Sequence, residues 1–337
     1  MAGANTSRRE SAEDRLIARF FGPLAREPGA FGLTDDAAIL TPPPDHDVVL
    51  KTDAIVGGVH FFPDDPPDAI GRKALRVNLS DLAAKGALPA GFLMSLALPT
   101  GTADDWLEAF ARGLGADAER YACPLLGGDT VKSPGPVMVS IAAFGTLPSG
   151  TMVRRNGARP GDAVLVSGTI GDAALGLRLR LDPEAARRSG LEPAQRDHLL
   201  DRYLLPQPRS ALALILRRSA SGAMDVSDGL IGDLTKLCRA SGASAQIEAD
   251  RVPLSPAART MTAAEPALIE TVLTGGDDYE IVFTLPVADV DALRAEAAAA
   301  SVAVTEIGRI TSGDEPPRVL DRQGRALAFA HDSFSHF

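Results

Sequence analysis

The residues of this sequence with the clearest chemical potential are aspartates that recur in short segments rich in glycine or serine. Six such acidic segments occur: LTDDAAIL (33–40), KTDAIVGGVHF (51–61), VNLSDLAAKG (77–86), LLGGDTVKSPGP (125–136), AMDVSDGL (223–230) and LTGGDDYE (273–280). Carboxylate oxygens are the ligands that hard cations such as Mg²⁺ prefer, and these ions link carboxylates to substrate phosphates. Glycine lets the backbone approach a phosphate closely. Together the acidic segments predict a phosphate-handling site with several metal ions.

Each acidic segment also has an ordinary structural explanation. These explanations are a plain turn at 33–36 and at 275–278, the end of a strand at Thr52 and Asp53, and a surface ion pair between Asp81 and Lys85. Asp228 suits the N-cap of a helix, although the N-terminus of that helix would also favour an anion. His60, next to Phe61 and Phe62, suits either a structural histidine or a site residue.

Common catalytic signatures are missing from the sequence. It has no GxxxxGK[ST] loop, no GxGxxG after a strand, no HExxH pair and no GxSxG elbow. The segment GTIGD (168–172) resembles a shortened glycine loop, but its spacing fits neither nucleotide-binding pattern. Zinc-dependent hydrolysis and serine hydrolase chemistry are therefore unsupported.

Composition limits the class of partner. The chain has 337 residues, of which 45% are hydrophobic and 23% charged, which predicts about two globular domains. Its 44 acidic and 34 basic residues give a formal net charge of −10. A general nucleic-acid or membrane-surface binder needs a basic face, so this charge argues against both. Phosphate substrates remain compatible, because metal ions can mediate between carboxylates and phosphates.

Cysteine content and hydropathy predict a cytoplasmic protein. Cys123 and Cys238 are the only cysteines and lack CxxC spacing, which fits a reducing compartment. Residues 1–21 carry charges throughout and lack the apolar region of a signal peptide. The longest apolar runs, such as 91–99, are too short to span a bilayer.

The hydrophobic pattern predicts the elements that must position the aspartates. In the first half it indicates helices over 7–22, 67–85 and 103–120 and strands over 37–40, 47–56, 91–98 and 137–144. In the second half it indicates strands over 163–167, 223–226, 244–249, 280–284 and 302–310. It indicates helices over 172–180, 197–203, 209–219, 229–240 and 287–300. A polar loop is expected over 181–196 and a turn-rich hairpin after 313. The irregular stretch 147–160 marks a boundary between domains 1–148 and 149–337. Strands and helices mix in both, which predicts two α/β or α+β domains.

Taken in order, these segments resemble the thiamine-monophosphate kinase family over nearly the whole chain. The most specific pieces are VNLSDLAAKGALP (77–89), LLGGDT (125–130), RNGARPGD (155–162), GTIGDAALGL (168–177), MDVSDGL (224–230) and GGDDYE (275–280). The resemblance implies the α/β (α+β) two-domain fold of aminoimidazole ribonucleotide synthetase, which binds ATP without a Walker loop. It implies that domain 1–148 binds ATP and metal and pairs with a second copy as a dimeric sheet or barrel, and that domain 149–337 completes the active site.

The resemblance also implies an activity and a set of site residues. The family transfers the γ-phosphoryl group of ATP to thiamine monophosphate, giving thiamine diphosphate and ADP, with several Mg²⁺ ions and as a homodimer. Its magnesium ligands correspond to Asp36, Thr52, Asp53, Asp81, Asp129, Asp225 and Asp228, its ATP contacts to Gly128, Arg155 and Ser227, and its thiamine phosphate contacts to His60, Asp277 and Phe334. No side chain is expected as nucleophile or general base, because phosphoryl transfer mainly needs positioning and charge neutralisation.

Three positions depart from the family's usual pattern. Thr34 stands where glycine is usual, Lys51 where serine or threonine is usual, and Asp277 where glutamate is usual. Lys51 stands at a position that affects one expected magnesium contact, and Asp277 shortens the reach toward the substrate by one methylene. Two alternatives therefore stay open: another ATP-using enzyme of the same fold with a different phosphate or carboxyl acceptor, and a non-catalytic nucleotide-binding regulator.

Overall fold

The computed structural model describes residues 11–331 and Ser333. The first four residues of the predicted helix 7–22 and the predicted substrate contact Phe334 lie outside the described residues. The strands are β1 (His46–Val56), β2 (Leu88–Pro99), β3 (Leu125–Ser133), β4 (Met138–Pro148), β5 (Ala163–Ser167), β6 (Gly222–Val226), β7 (Ser244–Glu248), β8 (Glu280–Leu285), β9 (Val304–Thr311) and β10 (Arg318–Leu320).

The α-helices are α1 (Ala12–Leu16), α2 (Pro67–Ala84), α3 (Asp104–Arg120), α4 (Asp172–Leu181), α5 (Ala185–Arg188), α6 (Pro193–Leu204), α7 (Ala213–Ser219), α8 (Leu230–Ser241), α9 (Pro256–Ala264), α10 (Leu268–Thr274) and α11 (Val290–Ala299). Both kinds of element occur in each half of the chain, which confirms the predicted α/β (α+β) class. Among the described residues, no helix combines the length and the apolar character that a membrane span requires.

The chain divides into two compact units. The N-terminal unit contains Met1–Thr41, Thr52–Leu75 and Ala90–Ala143, and the C-terminal unit contains Pro42–Lys51, Arg76–Pro89 and Phe144–Phe337. Elements β1, α2, β2 and β4 therefore contribute residues to both units.

Aromatic packing and a four-stranded sheet organise the N-terminal unit. Phe21 meets Phe110 of α3 edge to face, with ring centroids 6.5 Å apart, and Trp106 stacks on Phe110 at 5.3 Å. The sheet has the order β1-β4-β2-β3, and β2 runs parallel to β3, with Ser95 opposite Asp129.

A six-stranded sheet forms the centre of the C-terminal unit, in the order β10-β7-β9-β5-β8-β6. Side chains along β5 alternate between two apolar cores: Val164 and Val166 pack on one side, and Ala163 and Leu165 on the other. This alternation follows from the two-residue period of a strand. Because both faces are covered, the strand reads in the sequence as a continuous apolar run.

Most predicted elements are confirmed, and the differences have physical causes. The predicted strand 37–40 is wrong, because these residues form no ladder. The predicted loop 181–196 instead contains α5 and the start of α6, and helices α9 and α10 were not predicted.

Strand β3 was also not predicted, because its Gly-Gly-Asp sequence is typical of a turn. The strand continues there because a Cβ on Gly128 would lie 1.9 Å from the Met94 carbonyl oxygen, so only glycine fits the close approach to β2.

A buried glutamate joins three segments of the C-terminal unit. Glu280, at the start of β8, is fully buried. Its Oε1 accepts a hydrogen bond from Arg202 Nη2 of α6 at 2.9 Å, and its Oε2 accepts from Arg209 Nε at 2.6 Å. Ser167 Oγ at the end of β5 donates to Oε2 at 2.6 Å. Two guanidinium groups therefore compensate one buried carboxylate, which makes the geometry costly to disturb.

We predict that Glu280→Gln lowers the free energy of unfolding by about 3–5 kcal/mol, because it leaves two largely buried arginines without their counter-charge. Urea denaturation followed by circular dichroism measures the change. The matched control is Glu296→Gln, which breaks the exposed ion pair with Arg218 and should cost less than about 1 kcal/mol. Equal losses for the two variants would contradict the structural role of Glu280.

A second buried carboxylate fixes the start of α4. Asp172 Oδ1 accepts a hydrogen bond from Ser255 Oγ at 2.5 Å, and its Oδ2 lies 3.0 Å from His198 Nε2 and 2.6 Å from Thr169 Oγ1. Burial alone would raise the pKa of Asp172, but these hydrogen bonds outweigh it and lower the pKa. The same contact raises the pKa of His198 above its usual 6.5, although the nearby Arg202 charge opposes the shift.

The His198 contact predicts a pH-dependent stability. Because the folded-state pKa is raised, the stabilisation is complete below pH 6.5 and disappears as the pH rises through the folded-state value. His198 is 43% exposed, so solvent screening should keep the effect below about 1 kcal/mol. We expect His198→Asn to lose stability relative to the wild type at pH 5.5 more than at pH 8.5, as measured by thermal unfolding. The exposed His331→Asn is the control, and a pH-independent difference for His198→Asn would contradict the assignment.

Candidate functional site

The predicted site residues divide between the two units. The N-terminal unit holds Asp36, Thr52, Asp53, His60, Gly128 and Asp129, and the C-terminal unit holds Asp81, Arg155, Asp225, Ser227, Asp228 and Asp277.

In the C-terminal unit, two carboxylates lie near the end of β6. Asp225 is 3% exposed, and its Oδ2 is buried without a hydrogen-bond partner. Burial, followed by the negative charge of Asp81, raises the pKa of Asp225 well above its usual range, and Lys51 partly opposes this. Asp81, on α2, forms an ion pair with Lys51 of β1, with Nζ and Oδ2 2.8 Å apart. Two of the predicted site carboxylates, Asp81 and Asp225, are therefore close enough to interact electrostatically.

The predicted surface pair between Asp81 and Lys85 is wrong. Lys85 points instead at β6, where Nζ donates a hydrogen bond to the Ala223 carbonyl oxygen at 2.6 Å. Burial, followed by the positive charge of Arg155, lowers the pKa of Lys85 to about 8, whereas Asp225 and Asp81 act in the other direction. Lysine and arginine charges thus lie among the acids of this site.

The start of α8 holds Ser227 and Asp228 through a buried acid that the sequence reading missed. Asp233, in the first turn of α8, accepts hydrogen bonds from the backbone N–H groups of Ser227 and Asp228, both at 2.9 Å. Lys236 bonds to Asp233 at 2.8 Å and also pairs with Asp228. The N-cap of α8 is Gly229, so the proposed N-cap role of Asp228 is wrong. The spacing of Asp228 and Asp233 within SDGLIGDL was the available signal, since a carboxylate in the first helical turn can satisfy N–H groups there.

The segment 275–280 lies against this turn. The Asp277 N–H donates to the Ser227 carbonyl oxygen and the Tyr279 N–H to that of Val226, both at 2.8 Å. A Cβ on Gly276 would lie 2.3 Å from the Ser227 oxygen, so glycine is required for this approach. Asp277 and Tyr279 have φ values of +70° and +50°, and non-glycine residues in this region cluster at functional sites.

Arg155 completes the set in the C-terminal unit. It begins the 3₁₀ turn Arg155–Gly157, whose Arg155 carbonyl oxygen accepts a hydrogen bond from Ser241 Oγ of α8 at 2.9 Å. The preceding Arg154 carbonyl accepts from the Ala223 N–H of β6 at 3.2 Å. The structure therefore places Ser227, Asp228 and Asp277 at the turn that follows β6 and Asp225 within β6. The turn that begins with Arg155 lies instead beside the start of β6.

In the N-terminal unit, Thr52 and Asp53 are adjacent on β1 and therefore point to opposite faces of the sheet. Asp53 lies inside β1, not at a strand end as the sequence suggested, and Asp129 lies inside β3. Asp36 follows the 3₁₀ segment Pro28–Leu33, which contacts β3. Asp35 and Asp36 lie in a bend, where the Asp36 N–H donates to Asp35 Oδ1 at 2.8 Å.

His60 has at least a structural role. Its Nδ1 lies 3.1 Å from the Val56 N–H, and its carbonyl oxygen accepts a hydrogen bond from Lys73 Nζ at 3.0 Å. A backbone N–H can donate only to an unprotonated nitrogen, so the neutral ring carries its proton on Nε2. The ring is thus oriented with Nε2 as its donor atom.

The donor set fits Mg²⁺, although no preformed metal cluster is present among the residues described. No three His, Cys, Asp or Glu side chains in 11–331 or at Ser333 come close enough together to hold a metal ion. Asp225 nevertheless has an unpartnered buried carboxylate oxygen, and its neighbour Asp81 is held by an ammonium group. Oxygen donors of this kind suit a hard divalent cation.

Comparisons with known proteins agree on one family. Residues 34–147 match the N-terminal domain and residues 159–320 the C-terminal domain of AIR synthase related proteins. The thiamine-monophosphate kinase of Caulobacter vibrioides is 42% identical over 306 residues, covering 88% of this chain and 84% of that relative.

Solved structures extend the match to three dimensions. The thiamine-monophosphate kinase of Stenotrophomonas maltophilia superposes with a TM-score of 0.80 and 39% identity, covering 93% of this chain and 96% of that chain. A structure described as AaThiL complexed with AMPPCP and TMP superposes with a TM-score of 0.75 and 32% identity, covering 92% and 97%. The resemblance inferred from the acidic segments is thereby confirmed, and the chain belongs to the thiamine-monophosphate kinase family, within the AIR synthase related proteins.

Proposed function

We propose that this protein is an ATP-dependent thiamine-monophosphate kinase. The proposal is carried by the match of thiamine-monophosphate kinases to nearly the whole chain. The related AaThiL has been solved in complex with AMPPCP and TMP, which supports it. In the proposed reaction, a phosphate oxygen of thiamine monophosphate forms a bond to the γ-phosphorus of ATP, and the bond from that phosphorus to the β-phosphate oxygen breaks. The products are thiamine diphosphate and ADP.

In this proposal, Mg²⁺ is held by Asp36, Thr52, Asp53, Asp81, Asp129, Asp225 and Asp228. When bound, it supplies positive charge that reduces repulsion between the phosphate groups. The unpartnered Oδ2 of Asp225 supports this role, because a buried carboxylate oxygen without a donor is costly unless a ligand satisfies it.

The remaining proposed roles are binding and orientation. Gly128, Arg155 and Ser227 bind ATP, and His60, Asp277 and Phe334 bind thiamine monophosphate. Arg155 adds a permanent positive charge for a phosphate group. The Asp277 backbone is fixed by its hydrogen bond to Ser227, which supports a positioning role on the substrate side.

A phosphate-monoester oxygen is already nucleophilic near neutral pH, so we propose that the reaction has no covalent enzyme intermediate. A trapped phospho-aspartate would contradict this.

We also propose that residues 1–148 bind ATP and metal and form a homodimer, and that residues 149–337 complete the site. Support for the dimer comes from Leu93 and Val131, which lie on one face of the N-terminal sheet and are 37% and 48% exposed. A mass of a single 35.1 kDa chain in light scattering would contradict the homodimer.

We propose a cytoplasmic location for the protein, and the free, buried Cys123 and Cys238 are consistent with it. Recovery of the protein from an oxidising compartment in cell fractionation would contradict this location.

An ADP-release assay tests the proposed function. With Mg²⁺ and ATP, we expect turnover with thiamine monophosphate but not with thiamine or with aminoimidazole ribonucleotide precursors, because the acceptor must be the phosphate of thiamine monophosphate. Turnover with a different acceptor would instead support another enzyme of the same fold. ATP binding without turnover on any acceptor would support a regulator.

The metal assignment predicts the effect of Asp53→Asn. Loss of a carboxylate that binds the metal directly should lower kcat/KM by about 100-fold or more, because even residues that only orient a metal ligand typically cost about 10- to 100-fold when they are changed. Circular dichroism should show an intact fold. The matched control is Asp45→Asn, an exposed aspartate just before β1 whose φ of +57° suits asparagine. Near-normal turnover of Asp53→Asn with an unchanged magnesium requirement would show that Asp53 is not a ligand.

A further inference from the structure

Lys51 holds a position that matters for the proposed metal site. Its ammonium Nζ lies 2.8 Å from Asp81 Oδ2, and the two side chains are only 27% and 13% exposed. Lys51 also acts electrostatically on Asp225, the buried carboxylate with the unpartnered oxygen. The charge of one lysine thus acts on both acids.

A divalent ion and this ammonium group compete for the same oxygen. Mg²⁺ binds a carboxylate oxygen at about 2.0–2.1 Å, so an ion on Asp81 Oδ2 would lie close to the Lys51 nitrogen. Like charges at that separation repel strongly where water is partly excluded. Lys51 must therefore leave Asp81, or the ion must be absent from that oxygen.

The other two lysines of this region do not take this position. Lys85 donates to the Ala223 carbonyl oxygen. Lys236 pairs with Asp228 and Asp233, and its side chain is more exposed than that of Lys51. Lys51 is thus the cation that faces Asp81.

We infer that the Lys51 ammonium group takes the place of one divalent metal ion at Asp81. The protein then binds fewer divalent ions than its carboxylates would otherwise allow, or it binds them more weakly. The chain's own positive charge then neutralises Asp81 before any nucleotide arrives. The inference rests on the proposed metal role of Asp81 and deepens it, because it assigns a metal-limiting role to a residue outside the ligand set.

Mn²⁺ binding to the full-length protein without substrates tests the inference. Free Mn²⁺ is counted by electron paramagnetic resonance during titration of the wild type, Lys51→Thr and Lys51→Gln. We expect the neutral variants to bind one more Mn²⁺ per chain, or to bind Mn²⁺ about tenfold more tightly, because the competing charge is gone. Threonine is a good strand former, so β1 should persist, and Lys51→Gln provides a second neutral side chain if Lys51→Thr unfolds.

Three further variants make the result specific. Lys51→Arg keeps the charge and should bind like the wild type, and Lys132→Thr, which removes an exposed lysine of β3, should change nothing. In the Asp81→Asn background, Lys51→Thr should give no gain, because the contested oxygen is absent. Identical titrations of the wild type and both neutral variants would overturn the role of Lys51 while leaving the proposed function standing. Absence of Mn²⁺ binding in every protein would overturn the metal assignment and this inference together.

Discussion

The structure of the C-terminal unit depends on how it compensates carboxylates that are buried away from water. Glu280 is held by Arg202 and Arg209, and two residues earlier Asp278 accepts hydrogen bonds from the N–H groups of Gly171 and Ala173 at the start of α4. Burial raises the pKa of Asp278 well above its usual range, and the hydrogen bonds from Gly171 and Ala173 act in the opposite direction. A buried charge without partners costs several kcal/mol, so β8, α4 and α6 must assemble together.

This constraint reaches the candidate site through the chain itself. Asp277 and Tyr279 alternate with the buried Asp278 and Glu280, so anchoring the two buried acids fixes the two residues with positive φ. The backbone of this segment then rests on Val226 and Ser227. A strained backbone persists where its surroundings over-determine it. In the acidic segment GGDDYE, Asp278 and Glu280 are thus structural, and they fix the backbone of Asp277, the residue that we propose to bind the substrate.

The surplus of ten acidic residues has a more specific meaning in this light. Some of these acids lie inside, where Lys51, Lys236, Arg202 and Arg209 compensate them. Others, such as Asp225, keep an oxygen without a partner. An acidic net charge is therefore compatible with anionic substrates, because the charge around a buried group depends on the cations next to it and not on the net count.

The sequence by itself determined the α/β class, most helices and strands, and the family, because periodic apolar positions and ordered short segments are local properties of the chain. It could not identify β3, whose Gly-Gly-Asp is typical of a turn until the close approach of Met94 is known. It also paired Asp81 with Lys85, four residues away, whereas the tertiary structure pairs Asp81 with Lys51, which is 30 residues earlier. Charge partners of this kind were decided only by the tertiary structure, because a side chain's electrostatic environment depends on which distant segments pack against it, and helical spacing says nothing about that.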